Sequence, residues 1–238
     1  MTQHETPERG ARLGRACGAD GSGTAVGGAV VLLPGRPGMP LLSPGPVRAL
    51  VRELARAGGP DGLATHVVQH ADGCPERAVD EVVRRYGDVP VCLAGYGSGG
   101  LTALRGGGHP AVNSVLALAP CLPDEKASAP PEPVKHLAGR QVLIVHGTND
   151  GRADPESSFR LAARAKKANR STCRFEVHSD GHRLREHRSE VVALAVDFVL
   201  GSVMGGRWSR PVTDALAAPP PLGLRMPLAS GFGRSLRG

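Results

Sequence analysis

Three short stretches of this chain carry residue types whose order and spacing suit acyl-transfer chemistry. "GYGSGG" (95–100) is a glycine-dense turn after an apolar run, "HGTNDGRADP" (146–155) places Asp150 just after another, and "SDGHRLREH" (179–187) places His182 after a third. A tight turn for a nucleophile, then an acid, then a histidine can together attack a carbonyl. The acid orients the imidazole, the imidazole takes the nucleophile's proton, and backbone amides at the turn hold the developing oxyanion. Each residue also has a plainer reading: Asp150 in "TND" suits an Asx-type turn, and His182 lies among other histidines, His178 and His187. The three stretches taken together favour the catalytic set. His146, in "VHG", reads as a packing residue at a strand end.

The same turn spells G-x-G-x-x-G through Gly95, Gly97 and Gly100, the spacing of a dinucleotide-binding loop. That loop needs an acidic residue about 20 positions on to hold the ribose. Counting from Gly100 reaches Ala119, Pro120 and Cys121, with Asp124 only beyond a proline. Leu101 stands where a phosphate-binding loop would need lysine. Dinucleotide binding is therefore an alternative that lacks its ribose partner.

Elements must position these residues, and the sequence alternates them. "AVVLLPG" (29–35) reads as a strand, and Val47, Leu50, Val51 and Leu54 fall on one helical face between a start at Pro46 and a stop at Gly58-Gly59. "LATHVVQ" (63–69), "VPVCLAG" (89–95), "SVLALAP" (114–120), "QVLIVHG" (141–147) and "CRFEVHS" (173–179) continue the strands. Helices open near Pro75, after the glycine turn and near Pro155, and Val191, Leu194, Ala195 and Phe198 mark a closing one. Six strand–helix units predict an α/β fold: a doubly wound, mostly parallel sheet of about six strands in a three-layer sandwich. Ligands of such sheets bind beyond the carboxyl ends of the strands, where all three stretches lie.

In this arrangement "VCLAGYGSGG" resembles the nucleophile elbow of the α/β hydrolases, "VLIVHGTND" their acid strand and "HSDGH" their histidine loop. The resemblance covers about residues 28–200, is closest to minimal, lidless members of the dienelactone-hydrolase and serine-esterase kind, and leaves the family's first two antiparallel strands without a counterpart. It implies hydrolysis of an ester or related acyl bond, a small-molecule acyl substrate or ligand and no cofactor. Asp150 would be the acid, His182 the base, and the backbone amides of Gly35, Arg36 and Ser98 the oxyanion donors. The register that makes Gly95 and Gly99 the small flanking residues puts Gly97 in the nucleophile position, which is then empty. Ser98 is a possible substitute nucleophile, but that register makes bulky Tyr96 a flanking residue. The resemblance thus implies either a hydrolase of weak or altered activity or a catalytically inactive protein that keeps the pocket.

Composition bounds these readings. A chain of 238 residues suits one domain, with 1–27 reading as a disordered leader, 28–200 as the hydrolase-like domain and 201–238, rich in Pro, Gly and Arg, as a disordered tail. Of the net charge of +7, +4 sits in Arg207, Arg210, Arg225, Arg234 and Arg237 against Asp214. No basic stripe interleaved with aromatics points to nucleic acid. The five cysteines, Cys17, Cys74, Cys92, Cys121 and Cys173, are scattered and read as reduced thiols of a cytoplasmic protein. No histidine or cysteine spacing suggests a metal, and no apolar run approaches the ~20 residues of a membrane helix.

Overall fold

The computed structural model describes residues 12–19, 23–35, 46–70, 74–123 and 130–233. Two strands of two residues, β1 (Arg12–Leu13) and β2 (Cys17–Gly18), precede β3 (Gly28–Leu33), α1 (Val47–Gly58), β4 (Leu63–His70) and α2 (Pro75–Tyr86). Then come β5 (Val91–Tyr96), α3 (Ser98–Arg105), β6 (Val112–Leu118), β7 (Gln141–Gly147), α4 (Pro155–Ala168), β8 (Thr172–Val177) and α5 (Arg188–Val203). The chain closes with α6 (Arg210–Ala217) and β9 (Met226–Pro227). The strands lie side by side in the order β1-β4-β3-β5-β6-β7-β8-β9, and β2 also pairs with β4. From β4 to β9 every pairing is parallel.

The six predicted strands are β3 to β8. Both faces of this sheet are covered, so its strands are apolar throughout and alternate only in which layer they serve. Val30 and Leu32 of β3 point into the layer formed with Leu50 and Leu54 of α1 and Leu194 and Phe198 of α5. Ala29, Val31 and Leu33 point the other way, toward Val79 and Val82 of α2, Leu104 of α3 and Leu161 of α4. The result is a three-layer sandwich. The connection between β6 and β7 holds only a short 3-10 turn at Lys135–Leu137 among its described residues.

Strand order reverses beside β3. The chain goes from β3 outward to β4, then returns to place β5 on β3's other side and continues to β8. Right-handed crossovers in opposite directions put α1 and α2 on opposite faces. The turns after β3 and β5 therefore diverge from the switch point, which is where open α/β sheets form a crevice.

Both terminal expectations need correction. Residues 12–19 of the expected leader are ordered as β1 and β2, antiparallel to β4, so two antiparallel strands are present after all. Strands of two residues are too short to show a period in sequence. From 201 onward the chain is likewise folded through residue 233: α5 runs to Val203, β9 pairs with β8, and Val212, Ala215 and Leu224 are fully buried. Its ordering comes from long-range contacts. Buried Lys166 donates to the carbonyls of Thr172, Ala215 and Leu216 at 2.8, 3.0 and 3.1 Å, closing the C-terminal end of α6. Trp208 donates to Phe198 O at 3.1 Å, beside Gly201, where any Cβ would overlap the indole.

Candidate active site

The elbow after β5 is built by glycines whose neighbours leave no room for side chains. A Cβ on Gly95 would lie 2.0 Å from Gly99 O, and one on Gly99 would lie 2.2 Å from Leu33 O. α3 therefore starts pressed against the ends of β3 and β5. Between them Gly97 has φ 60° and ψ −123°, a conformation that only glycine enters without strain. Its N–H donates to Leu118 O at 2.9 Å, and its carbonyl accepts from Gly100 N at 3.0 Å and Cys121 N at 3.0 Å. A side chain here, unlike at Gly95 or Gly99, would have space: its Cβ would lie 3.5 Å from His182 Nε2 and 3.8 Å from Cys121 Sγ.

The acid and the histidine meet at this notch. Asp150 Oδ2 accepts from His182 Nδ1 at 2.8 Å, which leaves Nε2 directed at position 97. Asp150 is held from every side: Oδ1 accepts from the amides of Arg152 and Ala153 at 2.8 and 3.0 Å, and Oδ2 also lies 3.0 Å from His146 Nε2. Because His146 Nε2 faces two acceptors, this carboxylate and Ala153 O at 3.1 Å, it must carry the proton. Burial pushes the Asp150 carboxyl up, but the hydrogen bonds from His146, His182 and the two amides outweigh it and hold the group well below the usual carboxylate range. His182 is pushed up to about 9, chiefly by its hydrogen bond to Asp150 and next by the neighbouring Cys121 thiol, against desolvation.

A second buried carboxylate shapes the histidine loop. Asp180 Oδ1 accepts from the amides of Gly181 and Arg185, each at 3.0 Å, and Oδ2 accepts from His187 N at 3.1 Å. The loop packs so close to β7 that a Cβ on Gly147 would fall 2.4 Å from Asp180 O. Tyr96 supports it from the elbow side, its hydroxyl donating to His182 O at 3.1 Å and its ring centroid 5.2 Å from the imidazole's. Beside His182, an open hollow of about 440 Å³ runs past Arg152, Arg183 and Arg185.

The structure thus brings together Asp150, His182 and the bare position 97. It sets Ser98 apart: the hydroxyl donates to Gly35 O, on the β3 side of the elbow, and makes no hydrogen bond to His182 among the described residues. Ser98 is the first residue of α3, where amides have no intrahelical acceptor, and Gly35 lies against the elbow, its Cβ position 3.0 Å from Tyr96 O. Arg36 lies outside the described residues. Among those residues no cluster of His, Cys, Asp or Glu could hold a metal, and no helix is long and apolar enough to cross a membrane.

Sequence reasoning missed two residues. His146 shares Asp150, and Cys121 points at the notch. The signal for Cys121 was its place just past a parallel strand's carboxyl end. Nothing in the sequence says that this strand lies beside β5.

The fold has counterparts among solved structures. The fold is that of the α/β hydrolases. Structures similar to the chain include Est1E from Butyrivibrio proteoclasticus, with TM-score 0.60 and 15% identity over 82% of this chain and 99% of that one. The esterase Pf2001 from Pyrococcus furiosus has TM-score 0.61 and 13% identity over 81% and 93%. A monoacylglycerol lipase from Paleococcus ferrophilus has TM-score 0.60 and 16% identity over 80% and 99%. No protein-family model and no curated protein sequence matches the chain.

Proposed function

We propose that this protein hydrolyses a carboxylic ester or a related acyl bond in a small molecule, with His182 as the proton-transfer group and Asp150 orienting it. The observation that carries the reading is the 2.8 Å bond from His182 Nδ1 to Asp150 with Nε2 turned toward the elbow. An imidazole fixed in this tautomer and aimed at a nucleophile position is what acyl transfer requires. The α/β-hydrolase fold supports it, as do the esterases and the lipase among similar structures. The backbone amides of Ser98 and Gly35 would hold the oxyanion.

Two other readings meet specific objections. A dinucleotide on Gly95, Gly97 and Gly100 would leave the buried Asp150 and its histidines without a task. A catalytically inactive binding protein explains Gly97, but not why Asp150 is held by two amides and two histidines. The test is hydrolysis of short p-nitrophenyl esters and acyl thioesters by the full chain. His182→Ala is expected to lower kcat/KM by ~10²-fold or more, with Asp150→Asn following it. Absence of turnover on every acyl substrate would refute the reading.

A further inference from the structure

We propose that Cys121 is the catalytic nucleophile, its sulfur taking over the attack that the bare Gly97 cannot make, with His182 as its proton partner. The inference rests on the hydrolase reading above and supplies the atom that reading lacks.

The fold delivers Cys121 to this place by its register. β6 lies next to β5, with Leu118 opposite Tyr96. Beyond Leu118 the chain turns at Ala119, whose φ is 42°, passes Pro120 and returns so that Cys121 N donates to Gly97 O at 3.0 Å. Its Sγ then sits 3.8 Å from the point where a Cβ of residue 97 would be, and His182 Nε2 sits 3.5 Å from the same point. Both atoms thus border one point, and the neighbouring thiol is among the groups that push the His182 imidazolium up. The two groups converge from different strands on one small volume, and a substituent at 97 would fill it. The glycine that removes the usual nucleophile thus opens the space for another one.

Accessibility and charge agree with this role. The Cys121 residue is partly exposed, whereas Cys92 and Cys173 are fully buried. The His182 side chain is only 10% exposed, with Asp150 behind it. An imidazolium held over a carboxylate suits a sulfur nucleophile, because it stabilises the thiolate.

The reaction balances with water as the sole co-reactant. The Cys121 proton passes to His182 Nε2 and sulfur bonds to the carbonyl carbon of the ester. The bond from that carbon to the leaving oxygen breaks, and Nε2 returns the proton to release an alcohol. Water then attacks the acyl thioester, giving its proton to Nε2; the carbon–sulfur bond breaks, a carboxylic acid leaves and sulfur regains the proton.

The test reads the thiol and the turnover separately. Iodoacetamide is applied to the full chain at neutral pH, each cysteine's alkylation is followed by peptide mass spectrometry, and p-nitrophenyl ester hydrolysis is measured alongside. Cys121 should alkylate at least ~10-fold faster than exposed Cys17 and Cys74, and that excess should vanish in His182→Ala. Cys121→Ala and Cys121→Ser should each lose ~10³-fold or more in turnover, and Cys74→Ala should lose none. The serine variant, nearly isosteric, guards against a folding artefact. Hydrolysis that survives in both Cys121 variants would overturn this proposal while leaving the hydrolase reading intact. Fast, His182-dependent alkylation without any hydrolysis would support the nucleophile and refute the hydrolase. Alkylation of Cys121 no faster than that of Cys17 and Cys74 would overturn the proposal.

Discussion

At the scale of single residues, position 97 decides which chemistry the site can perform. Gly97→Ser places a hydroxyl within reach of His182 Nε2, since the Cβ it needs meets nothing closer than 3.5 Å. Its φ of 60° makes the substitution destabilising by about 1–3 kcal/mol, strain that nucleophile elbows hold through the packing around them. The variant should hydrolyse p-nitrophenyl esters even when Cys121 is replaced by alanine; an inactive double variant, still folded by circular dichroism, would mean that His182 is misaimed. His182 also makes stability depend on pH. Its folded value of about 9 lies above the ordinary 6.5, so the stability it contributes is full below pH 6.5 and is lost as pH rises through 9. The thermal midpoint of the wild type should accordingly exceed that of His182→Asn by a margin that narrows between pH 6.5 and 9, which a melting series across that range would detect.

At the scale of elements, the glycines around the elbow set the spacing of the layers. Gly95→Ala would drive a methyl group into the Gly99 carbonyl at 2.0 Å, backbone against backbone, where no rotamer change brings relief. The cost should reach about 3 kcal/mol or more through displacement of α3. Gly151→Ala, with nothing within 4 Å, should change stability by less than about 0.5 kcal/mol. Urea unfolding of the two variants gives the comparison directly; equal midpoints would show that the packing of α3 on β3 and β5 is not what requires glycine at 95.

At the scale of the whole molecule, the last described segment acts as part of the domain. β9 covers the edge of β8, Arg225 pairs with Glu156 at 2.9 Å and Glu176 at 3.1 Å, and Leu224 O accepts from buried Arg174 at 3.0 Å. Truncation after Gly205 would strip these partners at once, leaving the Arg174 guanidinium with fewer acceptors and Lys166 without the Ala215 and Leu216 carbonyls. Depriving one buried charge of its partners costs about 3–5 kcal/mol, so the truncated chain should melt well below the full chain or aggregate. A thermal midpoint unchanged by truncation would show that this segment contributes nothing to the core.

The sequence by itself determined the parts of this protein that depend on local period and local turn chemistry. The apolar runs of β3 to β8, the helix starts at Pro75 and Pro155 and the order of elbow, acid and histidine are all short-range signals. What only the tertiary structure decided depends on neighbours distant in the chain. β1, β2 and β9 exist because β4 and β8 offer them backbone partners, and α6 is ordered where Lys166 takes up its last carbonyls. Cys121 looked like one scattered thiol among five, because its meaning comes from lying beside Gly97 and His182, and that adjacency is written in strand order and register rather than in any stretch of residues.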